Sequence, residues 1–161
     1  MKETLLKRTE YGANDDLDTV VIRLGDLRPR IPYQTALELS QSLRVGCKQA
    51  ARFDRVNAKF WRDLISSDDP RLDTPKAHKG FRRSKLVPNV DTWEVKAQPC
   101  LVGVFFDGVG REMGYEDGVR FHLMIRKAGL RARAWAGDPS FSTRTLVMLT
   151  DAESDDKLGL M

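Results

Sequence analysis

The sequence predicts an α+β fold: two pseudo-symmetric ββα units, each a hairpin followed by a helix, sharing one antiparallel sheet and one core, with an added C-terminal strand. Three observations predict it. Residues 20–54 and 102–136 align without a gap at an offset of 82, and their apolar positions fall into register: Val20 with Val102, Ile22 with Val104, Leu24 with Phe106, Ile31 with Met113, Leu39 with Phe121 and Leu43 with Ile125. Gly25-Asp26 in the first unit sits where the second has Asp107-Gly108, and such pairs close tight hairpins because both residues tolerate positive φ. Each hairpin leads into a run of apolar residues at helical spacing. Only four of the aligned columns are identities (Val20, Tyr33, Arg44 and Ala50 with their counterparts), so the repeat is one of pattern.

The elements follow in order. Residues 20–24 and 27–31 read as the first hairpin, and Pro32 restricts Ile31 to extended geometry and so ends the second strand. A helix is expected from about Thr35, where Thr35 and Glu38 have the spacing of a capping box. Ala36, Leu39, Leu43, Cys47 and Ala50 form its apolar stripe. Asp54 and Asn57 fall on the same stripe, so the helix either breaks near Asp54 or runs on to about Ser66; a kink or break is favoured. Residues 67–98 form a long connection punctuated by Pro70, Pro75, Gly80 and Pro88, with strand-like alternation at 92–95. A second hairpin is expected at 101–106 and 109–113, and a second helix at about 115–136, with Glu116 and Asp117 placed well against its dipole. Residues 145–149 read as a last strand before an acidic tail. Together these make one domain: repeat one at 20–66, the basic connection at 67–98, repeat two at 99–138, and strand and tail at 139–161.

The charge is uneven. Residues 1–19 and 139–161 each carry a net −2, which leaves +8 on the body between them. A basic body attracts polyanions and acidic proteins, although an ordinary solvated surface explains it equally well. Two cysteines, Cys47 and Cys100, are too few for a disulfide framework and read as thiols of a reducing compartment. With no apolar leader at the N-terminus and no run long enough to span a bilayer, the expected location is the cytoplasm, away from membrane.

No constellation of catalytic residues stands out. His78 and His122 are the only histidines, and His122 lies among Phe121, Leu123 and Ile125, where a core histidine is the simpler explanation. Cys47, His78, Cys100 and His122 lack the paired spacing of a zinc site, and no phosphate loop follows the glycines at 103, 108 and 110. The expectation is a non-catalytic protein with no cofactor and no metal.

Two basic constellations suggest binding instead. Arg44, Lys48, Arg52, Arg55, Lys59 and Arg62 fall within an arc of roughly 80° if the helix is continuous, a cationic rail about 27 Å long. A break at Asp54 divides that rail into two ordinary solvated faces. The second constellation is in the connection: Lys79, Arg82, Arg83 and Lys85 surround Phe81, which can stack on an unpaired base while the cations hold phosphates. A flexible basic loop is the plainer alternative. Arg126 matches Arg44 in the repeat and is expected to be structural. The sequence reading is therefore a small regulatory protein that associates with the phosphate backbone of DNA or RNA. Its alternative is a regulator or inhibitor that presents the same surface to an acidic partner protein.

Overall fold

The computed structural model describes residues 5–57, 59 and 87–137. Its elements are β1 (Tyr11–Asp16), β2 (Thr19–Leu24), β3 (Arg30–Pro32) and α1 (Tyr33–Ala51), then β4 (Trp93–Gln98), β5 (Leu101–Phe106), β6 (Val109–Gly114) and α2 (Tyr115–Ala136). The fold is α+β, but with two antiparallel three-stranded sheets, β1-β2-β3 and β4-β5-β6, where the sequence suggested one. Each hairpin carries an extra strand in front of it. β1 escaped notice because its residues, Tyr-Gly-Ala-Asn-Asp-Asp, have poor strand propensity; pairing with β2 and burial of Tyr11 override that.

The two halves have the same element order, and β1, β2 and α1 begin 82 residues before β4, β5 and α2. Strand registers correspond as well. Tyr11 pairs with Leu24 and Trp93 with Phe106, while Thr19 pairs with Pro32 and Leu101 with Gly114. The hairpin of the second half turns on Asp107 and Gly108, with φ of 51° and 83°, the double positive φ that a two-residue turn needs. In the first half Gly25 takes φ 63° and the chain closes through a Leu24–Leu27 bridge.

Both helices start directly from a strand. The amide of Tyr33 donates to the Asp18 carbonyl at 3.3 Å and that of Tyr115 to the Cys100 carbonyl at 3.2 Å. Thr35 therefore lies inside α1 and not at its cap. Pro32 is the N-cap, with no side-chain hydrogen bond, so the expected capping box is absent.

Packing links the halves. α1 and α2 lie side by side and antiparallel: Gly118 packs on Cys47, Gly129 on Ala36 and Leu37, and Ser40 Oγ donates to the His122 carbonyl at 2.9 Å. Each helix lies chiefly on the sheet of the other half, α1 on β4 and β5 and α2 on β1 and β2. One core results, in which Leu24, Leu43, Phe106, Phe121 and Ile125 are all buried. The sheets approach at their inner edges, where Leu6 N donates to the Glu112 carbonyl beside β6 and Asn89 N to the Arg30 carbonyl beside β3. Both cysteines are free, Cys47 buried and Cys100 partly so. The expected strand at 145–149 lies outside the described residues.

Candidate functional site

The cationic residues divide sharply by exposure. Arg44 and Lys48, the first third of the expected rail, are buried, at 4% and 1%. The rail is not one exposed face. α1 is covered on two sides, by the second sheet and by α2, and this wide buried arc takes in a stripe that a singly covered helix would leave in water. The charged heads are buried along with the stems, and each has an interaction partner of its own. α1 then ends at Ala51, so Arg52, Arg55 and Lys59 lie beyond the helix, all exposed. Arg62, Lys79, Phe81, Arg82, Arg83 and Lys85 lie outside the described residues.

The turn after α1 is held firmly. The Asp54 carboxylate accepts the amides of Val56 and Asn57 at 3.2 and 3.1 Å, and it accepts the Tyr115 hydroxyl at 2.5 Å. These bonds keep the Asp54 carboxyl below its ordinary range, Tyr115 first among the causes, while burial and the Asp54 charge push the Tyr115 hydroxyl upward. The side chains between these anchors face solvent. Phe53 is 59% exposed and Val56 is 89% exposed, flanked by Arg52, Arg55 and Lys59. Cations and apolar groups alternate here on a clamped backbone.

A second basic face was missed in the sequence. Arg120, Met124, Lys127 and Arg131 lie four, three and four residues apart, a single stripe on α2. Met124, Lys127 and Arg131 are exposed, and Arg120 is half-buried and donates to Asp117 at 3.3 Å. The spacing is helical, but Val119, Leu123 and Leu130 run alongside the basic stripe and mask it in the sequence pattern.

His122 is a core group, as expected. It is buried at the contact of the two helices, and its pKa lies well below the ordinary value of 6.5, because of desolvation first and then the charges of Arg44 and Arg126. The native state therefore takes up a proton less readily than the unfolded chain. Stability from this site is complete above about pH 6.5 and is expected to fall as pH drops below it. Urea titrations at pH 7.5 and 5.5 should show a lower midpoint in acid, and His122→Gln should shrink the difference.

Between α1 and β4 runs a groove of about 340 Å³, lined by Gln41, Ser42, Val45, Gly46, Gln49, Trp93, Val95 and Ala97. No group of three or more His, Cys, Asp or Glu residues suited to a metal ion occurs among the described residues. No described helix is long and apolar enough to cross a membrane. What the arrangement can do is bind: an open apolar groove on one face, and exposed cations at the end of α1 and along α2. Comparison of the chain with protein-family models, with curated proteins and with solved structures finds no match.

Proposed function

We propose that this chain is a non-catalytic binding protein that engages an acidic partner protein through the turn after α1. The observation that carries this reading is the exposure of Phe53 and Val56 between Arg52, Arg55 and Lys59, on a backbone clamped to Tyr115. Phosphate backbones offer nothing to Val56, whereas a partner with an apolar pocket and an acidic rim uses both kinds of side chain. The clamp lowers the ordering cost of binding, because the turn is already fixed. Association with nucleic acid is the second reading, and the α2 stripe favours it by adding Lys127 and Arg131 to the exposed cations.

The corresponding registers and the paired contacts of Gly118 with Cys47 and Ala36 with Gly129 support a further reading of the halves as a pseudo-twofold pair. Phe53 differs from its counterpart in the second half, since Trp135 lies within α2 and packs against the core. One partner per chain is therefore expected.

A photoreactive amino acid at Val56 tests the proposal in cells. The expected result is one discrete protein adduct, lost in Arg52→Glu/Arg55→Glu. The contrary result is a salt-dependent gel shift of random duplex, single-stranded DNA or RNA that Val56→Ser leaves unchanged. That outcome would replace the protein partner with nucleic acid.

A further inference from the structure

The groove between α1 and β4 borders a sheet edge. β4 is the outermost strand of its sheet and pairs only with β5 among the described residues, so its outer amides and carbonyls are placed to take another strand. One wall is α1, with Val45 and Gly46; the floor is Trp93, Val95 and Ala97, and the lining is uncharged. The matching place in the first half is filled. Tyr11, the counterpart of Trp93, is fully buried, its ring 5.3 Å from that of Phe121 and its hydroxyl donating to Asp117 at 2.7 Å. Along α2, Lys127 and Arg131 stand where α1 has Val45 and Gln49. One half closes its groove with its own side chains, and the other leaves it open.

The path of the chain indicates an occupant. Val95 lies beside Gly46, and the Cys100 amide donates to the Ala50 carbonyl, so β4 and α1 run the same way. Gly129 packs on Ala36, so α2 delivers the chain at Gly137 to the N-terminal end of α1, upstream of Gln41, where the α1 wall of the groove begins. The next apolar run in the sequence is 145–149, Thr-Leu-Val-Met-Leu. The seven residues before it reach about 25 Å when extended. A chain leaving the far end of the groove would carry Asp151, Glu153, Asp155 and Asp156 toward the exposed Arg52, Arg55 and Lys59.

We propose that residues 145–149 add to β4 as a parallel strand seated in this groove, and that the acidic residues after them lie against Arg52, Arg55 and Lys59. The strand addition stands by itself. Its consequence, that an acidic partner must displace the tail, rests on the partner-binding reading above.

Amide hydrogen exchange on the intact, purified chain tests the strand. Residues 145–149 should exchange roughly tenfold or more slowly than an unstructured peptide. Leu146→Asp/Val147→Asp places a carboxylate on each face of the strand, so it should abolish that protection and speed exchange in β4. Val45→Arg, which fills the groove from a half-buried helix position, should release the same residues. Unprotected amides at 145–149 in the wild type, or protection that survives Val45→Arg, would overturn the proposal. No partner is present in this experiment, so its failure leaves the partner-binding reading intact, and loss of the Val56 adduct leaves the strand intact.

Discussion

Gly118→Val is expected to destabilise the fold more than any other single change considered for this chain. A Cβ at this position would lie 2.6 Å from Cys47 Sγ and 2.7 Å from Val102 Cγ2, and both neighbours are fully buried. Neither can retreat without moving α1 or β5. Overpacking of this kind costs about 1–3 kcal/mol and sometimes more, against a net stability of about 5–15 kcal/mol for a typical domain. Valine brings three carbons into a space that does not admit one, so the upper end or beyond is expected. Urea denaturation should show it as a large fall in midpoint. The cause is checked with Gly118→Ala in a Cys47→Ala background: removing the sulfur should recover part of the loss, a coupling expected only of residues in contact. Gly129→Ala is the control, since its Cβ would meet Leu37 Cδ2 at 3.0 Å, a looser approach than either contact at Gly118, and should cost less.

Leu43→Ala should cost about 2–5 kcal/mol, the usual range for truncating a buried leucine. Leu43 is fully buried, with one methyl 3.9 Å from the Cβ position of Gly118, in the core that both halves build. Its loss therefore weakens the seam between the halves along with α1 itself. Thermal or urea unfolding monitored by helix content and by tryptophan emission should move together. A near-neutral result would mean that the two halves do not share this core.

The α+β class, both hairpins and both helices were legible in the apolar pattern, and residues placed in register by the 82-residue offset, such as Leu24, Leu43, Phe106, Phe121 and Ile125, are buried. β1 was not legible, since its strand character comes from pairing with β2 and from burial of Tyr11, neither of which is local. The division into two sheets was also hidden, because hairpins in one sheet or two carry the same alternation. For the candidate site the failure has a single physical origin. A sequence shows which positions share a helix face, but not how many neighbours cover that helix. A single apolar stripe in the sequence puts Arg44 and Lys48 on a solvated face, while α1 is covered on two sides. The exposed Phe53 and Val56 gave no signal, since apolar residues past a helix end look like core until the fold shows that nothing described covers them.

The crossing of each helix onto the opposite sheet has a consequence for synthesis. When α1 leaves the ribosome, the β-surface it will cover has not yet been made, and the surface of β1 and β2 awaits a helix that ends at Ala136. At about 5–20 residues per second, roughly 4–17 s separate the two helices. Over that interval Val20, Ile22, Leu39 and Leu43 lack their final neighbours, which leaves their apolar surface open to aggregation. Slower translation across residues 58–86 would lengthen that exposure and lower the soluble yield, while the sequence of the finished protein stayed the same.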